Sequence, residues 1–255
     1  MLIFRERNFF NMFKFLLLFL SVLIFSSCAD KTIVESHAIT NIIADTGKVL
    51  VMHPVAMDSV KPKLEMKDLE LVPDTTFVRL ADYSDNFVFD MRYATPNNFL
   101  KTTVYDCAEC YTRSKTAQQL IKANRSLLTR GYKIKFFDCY RPLDVQKKMW
   151  KIVPNPMYVA DPAKGSIHNR GGAVDITLVD SLGNELPMGT GFDFFGKEAH
   201  HTYTDLPQEV LDNRKLLKTT MEAYGFKSIE SEWWHYNLAS MIGASVANFV
   251  WECKD

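Results

Sequence analysis

Apolar residues recur along this chain with two distinct periods. Between residues 114 and 130, Ala117, Leu120, Ile121, Leu127 and Leu128 fall on one face of a helix, with Ser114 as a candidate cap and Gly131 as the stop. Residues 207–224 repeat the pattern: Val210, Leu211, Leu217 and Met221 line one face and Gly225 ends it. A third helix is predicted from Pro142 to about residue 153, with proline at its tolerated first position. Strand-like runs appear at residues 76–80, 87–91, 132–138, 172–179 and 231–238, and a last short helix is expected within 239–251. Helices and strands mix without regular alternation and no repeat is visible. That pattern predicts an α+β domain built on a mostly antiparallel sheet with packed helices.

The N-terminus follows neither period. Arg5, Arg7 and Lys14 precede an apolar run from Phe15 to Phe25, then Ser26-Ser27-Cys28. A positive start, a short apolar core and small residues describe a secretory signal, and the apolar run is too short to span a bilayer. Cysteine after two serines resembles a bacterial lipoprotein signal, with residues 1–27 removed and Cys28 lipidated. Residues 28–74 carry little periodicity and read as a polar tether. The folded domain is expected over residues 75–255. Localisation is then the cell envelope, through a lipid anchor in the membrane.

Composition narrows the classes further. With 30 basic and 30 acidic residues the net charge is zero and no basic run stands out, so nucleic acid is not an expected partner. Beyond Cys28 remain Cys107, Cys110, Cys139 and Cys253. In an exported protein these are expected to pair, and the three possible pairings stay open.

The candidate chemistry lies in two stretches. The first is Ser166-Ile167-His168-Asn169-Arg170-Gly171-Gly172-Ala173-Val174-Asp175, and the second is Glu232-Trp233-Trp234-His235. Two imidazoles, one carboxylate ligand and a spare carboxylate are the inventory of a hydrolytic zinc centre. On a straight strand His168 and Asp175 point to opposite faces, but a turn at Gly171-Gly172 brings them together. Val174, Ile176 and Leu178 are then expected to face the core, and Asp175 the site. Asp175 in a salt bridge or turn is the alternative. Glu232 and His235 share a face on a helix; on the strand that the aromatic run favours, they need a bend or bulge.

Taken together, Ser-x-His-x-x-Gly-x-Ala-x-Asp followed by Glu-x-x-His is similar to the zinc D,D-peptidases. Asp90-Met91-Arg92-Tyr93, Asp138-Cys139-Tyr140-Arg141-Pro142, Met188-Gly189-Thr190-Gly191-Phe192-Asp193 and Glu232-Trp233-Trp234-His235-Tyr236 resemble the D-alanyl-D-alanine dipeptidase branch. The resemblance spans roughly residues 75–240 and implies the hedgehog/DD-peptidase-like fold. It implies one Zn2+ on His168, Asp175 and His235, with Glu232 as general base and Arg141 stabilising the oxyanion. It implies that Asp193 holds the free amino group of a small D,D-dipeptide, with Tyr93, Ser166 and Asp138 lining or bracing the pocket. D,D-carboxypeptidase action on peptidoglycan stems and a non-catalytic zinc-containing wall-binding lipoprotein are the alternatives. Cys139 stands where that branch usually has glycine, which raises the question of disulfides.

Overall fold

The computed structural model describes residues 65–253. The signal segment, Cys28 and residues 28–64 of the expected tether lie outside those residues. The elements run α1 (Met66–Glu70), β1 (Phe77–Arg79), β2 (Val88–Phe89), β3 (Tyr111–Arg113), α2 (Ser114–Leu128), β4 (Lys133–Asp138), α3 (Leu143–Ile152), β5 (Ala173–Val179), α4 (Gln208–Ala223), β6 (Phe226–Ile229) and β7 (Glu232–Leu238). A five-stranded sheet has the order β2-β4-β5-β7-β6, and β1 pairs with β3 in a second, two-stranded sheet. Only β2 and β4 run parallel among these pairs; the rest are antiparallel. This is the expected α+β class.

β5 sits in the middle of the larger sheet and is buried along its whole length. Val174, Ile176 and Leu178 join Ile134 and Phe136 of β4 in the main core. Leu120, Ile121 and Leu127 of α2 and Leu217 and Met221 of α4 complete that core. The amphipathic faces read from the sequence are therefore the faces that pack.

Local details differ from the sequence expectations. Ser114 does not cap α2; it is the first helical residue, and its hydroxyl donates to the Pro73 carbonyl at 2.7 Å. Pro142 precedes α3 rather than opening it, in an extended conformation. Gly131 does end α2's connection, in the left-handed region at φ 81°.

Two larger expectations fail. Part of the expected tether is folded: α1 buries Leu69 completely, and Gln118 of α2 donates to the Leu69 carbonyl at 3.3 Å. The sequence Met-Lys-Asp-Leu-Glu is rich in helix formers, and Asp68 accepts from the Glu65 N–H to close its first turn. The helix expected within 239–251 reduces to one turn, Ala239–Met241. Its backbone groups are used elsewhere: Ala247 donates to the Asn169 carbonyl, and the Leu143 N–H donates to Ala247. Phe249 and Trp251 instead stack against Phe77 and Tyr111. All four cysteines among the described residues are paired, as Cys107–Cys253 and Cys110–Cys139.

Candidate metal centre and active site

The register of the larger sheet assembles the site. Asp138 of β4 stands opposite Asp175 of β5, and Asp175 opposite His235 of β7. Residues directly opposite in a sheet project to the same face, so these three form a row across three strands. Regular pairing does not give this row. Phe136 pairs with Ile176 on the core side, and Asp138, two residues on, belongs on the same side. One extra residue at Phe137 shifts the register and turns Asp138 to the other face.

A second irregularity brings in Glu232. Ser228 pairs with Tyr236, but the next residue, Ile229, pairs with Glu232. Trp233, Trp234 and His235 therefore stand opposite no residue of β6, which is the bulge the Glu-x-x-His spacing requires on a strand. Glu232 Oε2 ends 3.9 Å from His235 Nδ1.

His168 enters from a short helical turn, His168–Arg170, which Gly171 closes in the left-handed region at φ 70°. A Cβ on Gly171 meets Phe77 and Arg113 side-chain atoms at 2.7 Å, so both the conformation and the space demand glycine. The turn at Gly171-Gly172 thus does what the sequence spacing calls for.

The three candidate ligands converge. His168 Nε2 lies 3.2 Å from His235 Nδ1 and 3.5 Å from Asp175 Oδ2, and His235 Nδ1 lies 2.9 Å from Asp175 Oδ1. Donors about 2.0–2.1 Å from one tetrahedral ion stand about 3.3 Å apart, so the triangle is the right size for a metal. Hydrogen bonds fix which nitrogen is available. A carbonyl only accepts, so His168 Nδ1–H donates to Cys139 O at 2.7 Å and leaves the Nε2 lone pair free. His235 Nε2–H donates to Asn237 Oδ1 at 2.9 Å and leaves Nδ1 free. Two imidazole lone pairs and a carboxylate aimed at one point repel one another unless a cation lies between them. Their chemistry, two nitrogens and one oxygen with all three residues buried, fits one zinc ion with a position left open.

Electrostatics in this cluster follow from burial and proximity. Burial raises the Glu232 carboxyl above its usual range, against the pull of the His235 imidazole. Burial also opposes ionisation of Asp175; when the two imidazoles beside it carry protons they outweigh that and lower its carboxyl, the part a bound cation plays with the lone pairs free.

A cavity of about 250 Å³ opens over this triangle; Glu232, Arg141, Asp193, Tyr93, Ser166 and Trp234 line it with the three ligands. Arg141 is nearly inaccessible, with Nη2 2.6 Å from Asp138 Oδ2 and Nη1 donating to Gln146 Oε1 at 2.9 Å. Its Nε–H is buried without a partner among the described residues. Asp193 stands at φ 60°, unusual for a side-chain-bearing residue, and accepts from the Tyr93 hydroxyl at 3.0 Å. Burial, and then the charge of Asp175, push its carboxyl well above the ordinary value, which marks a site wanting a cationic partner. Ser166 lines the cavity and exchanges hydrogen bonds with Asn169, bracing the turn that carries His168.

Of the residues expected to line or brace the pocket, Asp138 is a brace and not a substrate contact. It is fully buried behind Arg141, where it accepts from Tyr105 Oη at 2.7 Å and from the Cys139 N–H at 2.9 Å. It braces the pocket and does not line it. Several contributors were not singled out from the sequence: Asn237, Gln146, Tyr105, the Cys139 carbonyl, and the rim residues Met157, Tyr158 and Phe195. Asn237, two residues beyond His235 on a strand, had a readable signal in the period of two. A backbone carbonyl has none.

A buried nitrogen and oxygen ligand set, an adjacent carboxylate and a half-satisfied arginine sharing one cavity belong to a hydrolytic metalloenzyme. Comparison with known proteins narrows that class: residues 74–250 match the D-ala-D-ala dipeptidase family model, and the chain belongs to that family. It is 36% identical over 166 residues to the D-alanyl-D-alanine dipeptidase of Escherichia coli (strain K12), covering 65% of this chain and 86% of that protein. It is 30% identical over 171 residues to the Enterococcus faecium D-alanyl-D-alanine dipeptidase, covering 59% and 85%. A solved structure of the vancomycin resistance D,D-pentapeptidase VanY, in complex with Zn(II), aligns at 16% identity and a TM-score of 0.35. It covers 51% of this chain and 73% of that one, a likeness too slight to argue from.

Proposed function

We propose that this protein is an exported zinc-dependent dipeptidase that hydrolyses D-alanyl-D-alanine, or a close D,D-dipeptide, during turnover of cell-wall peptides. The observation that carries this reading is the single cavity joining the His168–Asp175–His235 triangle to Glu232, Arg141 and Asp193. Zinc, when bound, polarises the scissile carbonyl and acidifies a water molecule.

Each residue then has a task set by its position. Glu232, a carboxylate made more basic by burial, takes the proton of the attacking water and returns it to the leaving amine. Arg141 brings its guanidinium charge to the cavity, where it stabilises the oxygen that gains charge, and Asp138 and Gln146 hold the guanidinium in place. Asp193, oriented by Tyr93, pairs with the free ammonium of the dipeptide. A longer peptide lacks that ammonium at the same place.

The decisive experiment is an amino-acid release assay on D-Ala-D-Ala, a D-Ala-terminated tripeptide and a stem pentapeptide, with and without chelator. Dipeptide hydrolysis that chelation abolishes and zinc restores is expected. Asp193→Ala is expected to lower kcat/KM on the dipeptide roughly 10²-fold, the scale of losing a charge-assisted contact, with little change on the tripeptide. Equal losses on both point to a D,D-carboxypeptidase.

The N-terminal pattern supports lipidation at Cys28, with residues 28–64 tethering the folded body to an envelope membrane. Cys28→Ser is expected to move the protein from the membrane pellet to the soluble fraction. Retention in the pellet overturns the anchor.

A further inference from the structure

The segment after β4 is where the sheet stops guiding the backbone. β4 ends at Asp138, and the following residues carry contacts on which the site depends. The Cys139 carbonyl accepts from His168 Nδ1 at 2.7 Å, and the Arg141 N–H donates to the His168 carbonyl at 3.1 Å. Cys139 itself is fully buried and bonded through sulfur to Cys110, next to β3. Cys110 is fixed in turn, since its carbonyl accepts from the Leu80 N–H at 3.0 Å. The disulfide, beside the Tyr140 N–H that donates to the Tyr111 carbonyl at 2.8 Å, thus ties the end of the larger sheet to the smaller sheet, at the residue whose carbonyl orients a metal ligand.

The direction of that carbonyl matters because His168 has a competing acceptor. Asp138 Oδ2 lies 3.6 Å from His168 Nδ1, already engaged by Arg141. If the Cys139 peptide turns away, the imidazole is drawn toward Asp138. Its Nε2 then leaves the point shared with Asp175 and His235.

We propose that the Cys110–Cys139 disulfide is a positioning element of the metal centre. It holds the Cys139 carbonyl as the acceptor that fixes both the tautomer and the ring angle of His168. The proposal rests on His168 being a ligand. The second disulfide supplies the control: Cys107–Cys253 closes a sequence separation of 146 residues against 29 for Cys110–Cys139, and has no part in the hydrogen bonds around His168.

The test compares the Cys110→Ser/Cys139→Ser pair with the Cys107→Ser/Cys253→Ser pair. Zinc dissociation constants are measured by chelator competition and thermal midpoints by calorimetry. Loss of an outer-shell partner typically weakens metal binding roughly 10–100-fold, and that is expected for the first pair. The second pair is expected to lose more thermal stability, because its bridge closes the longer loop, while its zinc affinity stays within about twofold of wild type. The two effects therefore cross. Unchanged affinity in the first pair, or equal weakening in both, overturns the proposal. If the serine pair does not fold, the alanine pair, which buries no hydroxyl, carries the comparison. Failure of that pair to fold with zinc present makes the bond a requirement of the fold alone, and overturns the proposal too. A wild-type protein that binds no zinc instead overturns the reading of His168 as a ligand.

Discussion

Glu232→Gln is expected to lower kcat on D-Ala-D-Ala by roughly 10³-fold, within the usual range for removing a general acid–base group. The substitution keeps the shape of the side chain and removes only its ability to take a proton. Glu232 is not one of the three converging ligands, so zinc is expected to stay bound, and a metal assay on the purified variant separates lost chemistry from lost metal. The pH profile gives a second readout. Glu232 must be ionised to act, and burial raises its carboxyl above the ordinary range. Activity is therefore expected to fall on the acid side as the Glu232 carboxylate takes up a proton, and Glu232→Gln is expected to lose that acid limb. A variant retaining more than a tenth of wild-type kcat, with zinc in place, sinks the assignment of Glu232 as base.

That assignment is legible in the sequence as a spacing and through the family resemblance, but its geometry is not, and the reason is physical. Glu232 and His235 lie an odd number of residues apart on a strand, so they meet only if the strand is irregular. The tryptophans argued for a strand and the chemistry argued for a shared face; a bulge against β6 satisfies both. The same logic missed the bulge at Phe137, because Asp138 was not expected to join the row with Asp175 and His235. Elements with strong periodicity, such as α2, α4 and β5, were readable because their apolar faces alone decide the packing. The C-terminal segment was not, because its conformation is set by stacking on distant rings and by the Cys107–Cys253 bridge. Likewise α1 looked like linker because a single buried leucine docks it.

Asp138→Ala is expected to be the most destabilising single change in the site, by about 3–5 kcal/mol, the usual cost of stranding one member of a buried ion pair. Three donors converge on this carboxylate: Tyr105 Oη, the Cys139 N–H and Arg141 Nη2, at 2.7, 2.9 and 2.6 Å. Asp138 is fully buried and Arg141 nearly so, and it is chiefly Asp138 that keeps the guanidinium charged against the cost of burial. Removing the carboxylate leaves that charge unbalanced and frees the side chain to swing away from the cavity. Stability and activity are thus expected to fall together, which alone would not distinguish bracing from simple unfolding. The double variant Asp138→Ala/Arg141→Met separates them. With no buried charge left to balance, denaturant midpoints are expected to recover a substantial part of the loss, because the two residues act as one unit. Hydrolysis of D-Ala-D-Ala is expected to stay low, because the donor to the developing oxyanion is gone. If the two single losses simply add, Asp138 and Arg141 are not coupled. If the double variant recovers activity along with stability, Arg141 does not stabilise the transition state.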